Sequence, residues 1–204
     1  MMFDTMLDFL AKVYHINMKI LLVLCHPRAD SFTAAIADTF AKRAIASGHE
    51  VERADLYREG FDPVMRENDE PSWDNLDKIY SDEVLAEMAR IERNEAIVMV
   101  CPIWWWSFPA MLKGWVDRVW NLGFAYGPSK LSLQKGMLIG TCASNAERFA
   151  RHGTDTAIQT QLGSGIMGYC GIDEYCVELF HDAVLDNNTR EGLLLRAGVL
   201  GDRF

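Results

Sequence analysis

The chain has 204 residues, half of them hydrophobic, which is enough for one domain with a sizeable core and too little for two. Twenty basic residues against 29 acidic give a net charge of −9, which argues against nucleic acid or an anionic membrane as the main partner. Five cysteines (Cys25, Cys101, Cys142, Cys170 and Cys176) form an odd set without metal-ligand spacing, several of them in apolar runs, as free thiols of a reducing cytoplasm do.

Residues 1–17 are apolar in places but interrupted by Asp4 and Asp8, with no basic start and no small-residue cleavage site. They read as neither signal peptide nor transmembrane span, but as an N-terminal extension to a domain of residues 18–204, dispensable or folded as a short docking helix. Residues 19–25 (KILLVLC) predict a buried first strand, 26–33 a turn, and 34–47 an alanine-rich helix closed by Gly48. Residues 50–56 alternate as a second strand. Residues 57–73, with Gly60, Pro63 and Pro71, form a polar loop long enough to serve the edge of a site. Residues 81–93 open on Ser81-Asp82-Glu83 and set Val84, Leu85, Met88 and Ile91 on one face of a capped amphipathic helix. The run 96–100 is a third strand, and Pro109 starts a helix reaching about residue 121. A loop over 123–128 and a fourth strand over 135–141 follow. Residues 142–153 read as irregular and 155–169 as helical in two pieces around Gly163 and Gly165; a fifth strand spans 174–179 and a last helix 189–197. Five strands alternating with helices predict a three-layer α/β domain on a parallel sheet.

Between the third strand and the helix after it stand Trp104, Trp105 and Trp106. Three consecutive tryptophans cannot all face one way, so at least one is expected to line a cleft or a partner surface. Their loop lies at the C-terminal edge of the sheet, where ligands bind in open α/β folds. The plainer alternative packs two of them inward and leaves one exposed. Ser31 and Thr33 open the first helix, where free N–H groups and the helix dipole favour a phosphate; Ser31 equally suits a helix cap. The turn matches neither G-x-G-x-x-G nor a P-loop. His26 and His152 belong to the same sheet edge, and an imidazole there can stabilise negative charge or move a proton near neutral pH. No Ser/His/Asp order, metal cluster or carboxylate pair stands out, so the chemistry is assigned to a bound cofactor.

With these residues assembled, the chain resembles the NAD(P)H:quinone oxidoreductases of the flavodoxin-like superfamily, from about residue 18 to residue 197. The resemblance is carried by His26-Pro27 with Ser31-Phe32, by Asp55-Leu56-Tyr57 with Phe61-Asp62-Pro63, by the block from Pro102 through Pro109 to Gly114-Trp115, and by Gly123-Phe124-Ala125-Tyr126. It implies a doubly wound five-stranded parallel sheet of order 2-1-3-4-5 with a flavin at the switch point between the first and third strands. It also implies that His26, Ser31, Phe32, Thr33 and Ala34 hold the flavin's phosphate region. Pro102, Ile103, Trp104, Trp105 and Trp106 would border its ring, and Thr141, Cys142, Ala143 and Ser144 its other side. His152 and Tyr126 take the catalytic positions, the tyrosine closing over the substrate from a second subunit. Arg190 matches a residue near the adenosine of FAD-bearing relatives, which favours FAD over FMN, or is a solvated helix residue. Where the family commonly has Thr-Thr-Gly-Gly and a tyrosine that assists the histidine, this chain has Thr141-Cys142-Ala143-Ser144 and Arg148-Phe149. The relay is therefore expected to be absent, leaving His152 alone or with Arg148. The implied activity is two-electron, ping-pong hydride transfer from NAD(P)H through flavin to a quinone-like acceptor, in a cytoplasmic homodimer. Two other readings are an ancillary flavoprotein subunit of a potassium-efflux-type transporter and a one-electron carrier; the tryptophans and His152 speak against the second.

Overall fold

Five apolar runs become five parallel strands: β1 (Lys19–Leu24), β2 (Glu50–Asp55), β3 (Ala96–Pro102), β4 (Lys135–Thr141) and β5 (Glu174–Phe180), in the spatial order β2-β1-β3-β4-β5. This computed structural model describes residues 17–204; the extension expected over 1–17 lies, Asn17 aside, outside them. Six α-helices are described: α1 (Phe32–Ala46), α2 (Asp82–Glu92), α3 (Ala110–Val119), α4 (Ala146–Arg151), α5 (Thr154–Ile158) and α6 (Asn187–Asp202). A wider π-helical segment, Gln159–Gly168, continues α5 without a break.

The central strands read as continuous apolar runs because both of their faces are covered. Leu21, Val23 and Cys25 alternate toward one core, which takes in α2, α3 and the π segment, while Ile20, Leu22 and Leu24 face the other, under α1 and α6. β3 is buried along its whole length, whereas the edge strand β2 buries only Ala54. α1 places Ile36, Ala37, Phe40 and Ala44 on the sheet at the spacing of a single helical stripe.

Three expectations need correction. Residues 142–153 are not irregular throughout, since α4 lies among them, capped by the Asn145 side chain on the Arg148 N–H. The glycines at 163 and 165 do not divide the helical stretch. The last helix is longer than 189–197, because a cap at Asp186 starts it earlier and Arg43 holds Asp202 at 2.8 Å at its far end.

The long connection after β2 is tied down from α3. Arg118 is almost wholly buried; its guanidinium meets Asp69 at 2.6 Å and Glu83 at 2.6 Å, and it also donates to the Asp62 carbonyl. Asp69 in turn accepts the Ser81 N–H at 2.8 Å and the Ser81 hydroxyl at 2.9 Å, which fixes the start of α2. Burial alone would raise the Asp69 pKa; the Ser81 and Arg118 hydrogen bonds outweigh it and hold the carboxyl below its usual range. Gly114 permits the close approach, for a Cβ there would stand 2.1 Å from the Pro63 carbonyl oxygen.

Candidate functional site

β1, β3 and β4 end side by side at the point where the chain reverses its winding direction, and the segments leaving them build a cleft. The turn after β1, the tryptophan turn after β3, the loop after β4 and the turn after β5 contribute His26, Arg28, Phe32, Thr33, Pro102, Ile103, Trp104, Thr141, Cys142, Ala143, Ala183, Val184 and Arg190 to a cavity of about 180 Å³. A second depression of about 160 Å³ shares Ile103 and Ala143 with it and is walled by Trp105, Trp106, Ser144 and Phe149. The Thr33 and Thr141 hydroxyls, 2.9 Å apart and buried, join the start of α1 to the end of β4 and set the spacing of two of the walls.

None of the three tryptophans packs inward: Trp104 is 44% exposed, Trp105 93% and Trp106 40%. The Trp104 N–H donates to the Ser107 carbonyl at 3.2 Å and the Ser107 N–H to the Trp104 carbonyl at 3.1 Å, closing a two-residue hairpin turn. Trp105 and Trp106 occupy its tip at φ of 50° and 62°, the signs of a type I′ turn that ordinarily selects glycine or asparagine. Left-handed backbone at two bulky residues is strained, and such strain persists where a site uses the geometry it enforces. On one flank the Trp104 ring lies 6.3 Å from that of His26; on the other, Trp106 meets Phe149 edge-on at 5.0 Å.

The opposite end of the cleft is polar. The His26 Nδ1 accepts the Arg28 N–H at 3.1 Å. Burial lowers the imidazole pKa first, and the Arg28 and Arg58 charges lower it further against the pull of Asp30 and the Arg28 backbone contact. Ser31 caps α1, its hydroxyl accepting the Ala34 N–H at 3.1 Å. Ala34 is accordingly buried with its amide taken and lies off the cavity wall, while the first turn begins at Phe32 and Thr33, which do line it. Arg190 is held over the Phe32 ring at 5.0 Å and belongs to the cavity rather than to open solvent. Cys142 is buried, donates weakly to the Gly140 carbonyl, and has its thiol pushed up to about 12 by that burial.

Two expected residues stand apart. His152 is exposed at the C-cap of α4, one helical turn beyond Phe149, and lines neither depression. Tyr126 belongs to a separate groove of about 470 Å³ with Met65, Pro71, Trp120, Ile166 and Tyr169. Its ring lies 6.2 Å from that of Trp73 and 6.1 Å from that of Tyr169. Four residues of the site region lie outside the motif reading. Arg28, Ala183 and Val184 line the main cavity. His181, bonded to the Ser144 carbonyl at 3.2 Å, meets Phe149 edge-on at 4.7 Å and braces the loop after β4. The turn after β5 could have been found from topology alone, since it leaves the same sheet edge.

The family described by the flavodoxin-like fold matches residues 18–196. An uncharacterised NAD(P)H oxidoreductase of Escherichia coli, YcaK, is 42% identical over 168 residues, 82% of this chain and 85% of that protein. An uncharacterised NAD(P)H oxidoreductase of Haemophilus influenzae is 31% identical over 182 residues, 85% of this chain and 89% of its own. Among solved structures, the NAD(P)H:quinone oxidoreductase of Methanothermobacter marburgensis superposes with a TM-score of 0.86 at 27% identity, covering 92% of this chain and 96% of that one. Sheet order, cleft and sequence likeness agree: the chain belongs to the flavodoxin-like family of NAD(P)H oxidoreductases.

Proposed function

We propose that this protein is a flavin-dependent NAD(P)H:quinone oxidoreductase acting on planar quinone-like acceptors by a ping-pong sequence. The observation that carries the reading is the two-ended cleft at the switch point, cationic and hydroxyl-lined at one end and walled by the tryptophan turn at the other. Those ends suit the two ends of a flavin. The first turn of α1, Thr33, His26 and Arg190 would hold its phosphate side, and Pro102, Ile103, Trp104, Thr141, Cys142 and Ala143 its ring. Bound there, flavin supplies a two-electron hydride acceptor and donor, so that nicotinamide and quinone use one slot in turn. FAD is favoured over FMN because Arg190 stands in the cavity rather than in solvent.

The chain's own residues have separate tasks. Trp105 and Trp106 present rigid aromatic faces on which a flat ligand can stack, and with Phe149 they keep water from one side of it. His152, one turn from Phe149, is placed to stabilise negative charge on the acceptor oxygen or to pass it a proton through water. Tyr126 acts from a second copy of the chain. Support for a homodimer comes from an exposed apolar surface around its groove, where Trp73, Leu76 and Ile79 face outward. The tryptophan turn and the Tyr126 groove lie at opposite ends of α3, so a two-fold axis across that helix brings one copy's turn to the other's groove. No described helix is long and apolar enough to cross a membrane, and all five cysteines are free, in keeping with a reducing cytoplasm.

The test is to release and identify the chromophore of the purified protein, then assay menadione reduction with NADH and with NADPH. A colourless protein that takes up no added flavin would sink the reading. His152→Ala is expected to slow quinone reduction roughly 10²-fold or more while flavin stays bound; unchanged kinetics would remove it from the mechanism.

A further inference from the structure

A groove between α1 and α6 takes no part in the chemistry above and shares no lining residue with the cleft. It is a depression of about 530 Å³, with Thr39 and Arg43 along α1 and Leu194, Leu195, Gly198 and Val199 along α6. The two helices meet closely beneath it, since a Cβ at Gly201 would stand 2.5 Å from the Phe40 carbonyl oxygen. A helix that is apolar all round is ordinarily buried all round. α6 carries leucine at 193, 194, 195 and 200 and valine at 199, yet the domain covers only one side of it. Ala197 and Gly201 are buried, while Leu195 is 73% exposed and Val199 45%. Contiguous apolar surface of this kind marks a contact.

The chain itself carries a segment that fits. Asn17 is the first described residue, and it stands at one end of this groove. A Cβ at Gly48, just past the end of α1, would lie 2.7 Å from the Asn17 Oδ1, and the Met18 N–H donates to His49 Nδ1 at 3.2 Å. Arg43 and Asp202 close the groove at that same end. The residues before Asn17 have the pattern of a helix with one apolar side. At 3.6 residues per turn, Phe3, Met6, Leu10, Val13 and Tyr14 share one side, and Asp4, Asp8, Lys12 and His15 share the opposite one. Residues 3–14 equal in number the α6 residues 191–202 that bound the groove, and either stretch as a helix spans about 18 Å. We propose that residues 3–14 form an amphipathic helix seated in the α1–α6 groove of their own chain, covering Leu195 and Val199.

The experiment is hydrogen exchange followed by mass spectrometry on the full chain, for the native protein, Leu195→Asp and Leu10→Asp. Native amides of residues 3–14 are expected to exchange about tenfold or more slowly than those of a free peptide of the same sequence, at every protein concentration. Either substitution is expected to return them to the peptide rate while the β1 and β3 amides stay protected. Leu195 is already exposed, and Leu10→Asp tests the same contact without altering the groove, so loss of folding in one variant leaves the other to decide. Exchange of residues 3–14 at the peptide rate in the native protein overturns the proposal. So does protection that survives Leu195→Asp, because the segment then lies elsewhere. Protection that fades on dilution also overturns it, since the groove then belongs to a second copy of the chain.

Discussion

The two loops that flank α3 are held in opposite ways. The long connection between β2 and α2 is anchored by a buried guanidinium with two carboxylates, a backbone carbonyl and a capping serine around it, so its path is over-determined. The tryptophan turn has two backbone hydrogen bonds and a tip of two strained residues, one of them almost wholly exposed. The difference separates scaffold from instrument. Apolar surface on the long loop faces outward from a rigid base, whereas the turn exposes its rings from a backbone in the left-handed region.

The largest expected effect breaks the anchored loop. Arg118→Ala leaves Asp69 charged and buried without its partner, and should lose about 3–5 kcal/mol in denaturant unfolding. The same pair sets an acid limit. Because the folded pKa of Asp69 is depressed, its contribution is present above the ordinary carboxylate value near 3.8 and is lost as pH falls through the folded value. Asp69→Asn should therefore flatten acid unfolding in that window while lowering stability at neutral pH.

The turn should respond in the reverse direction. Trp105→Gly removes left-handed strain of roughly 1–2 kcal/mol against an added glycine entropy of roughly 0.5–1 kcal/mol, and the exposed ring loses little packing. Thermal unfolding should rise by about 1–4 °C while the KM for quinone increases. A fall in Tm would show that the ring packs in solution and that the turn is not a store of strain.

The smallest effect lies where the turn meets the first loop, at His26. Its folded pKa is lowered, so its contribution is fully present above the unfolded value of 6.5 and declines as pH falls below it. An anion bound beside it raises that pKa, and flavin affinity should strengthen modestly from pH 7.5 to 6. His26→Asn should abolish that slope, measured by fluorescence titration of the apoprotein with flavin.

The sheet was legible because β1, β3 and β4 are covered on both faces, leaving apolar runs that admit few other readings. The π segment was not. Gly163 and Gly165 read as breaks, yet the helical segment runs through both, and the missing side chains of Gly163 and Gly168 make room for the Tyr175 ring, which a Cβ at either would approach to 3.0 Å. α4 was missed because six residues, half of them charged and only Phe149 buried, carry no periodic signal. At the site, the motif residues named most of the cleft. Arg28 carries no motif, and its place becomes visible only once the cavity exists. Ser31 shows the converse limit, since hydroxyl chemistry alone cannot separate a helix cap from a ligand contact, and the Ala34 N–H occupies it.

The position of Cys142 has a consequence for durability. Quinones are electrophiles that arylate thiolates, and a protein handling them turnover after turnover risks modifying itself. With its thiol pushed up to about 12 by burial, Cys142 is held as the thiol at neutral pH. Cys25 is likewise pushed up to about 12, and Cys170 to about 11. A cleft that holds its sulfur protonated can hold a reactive substrate against it and survive.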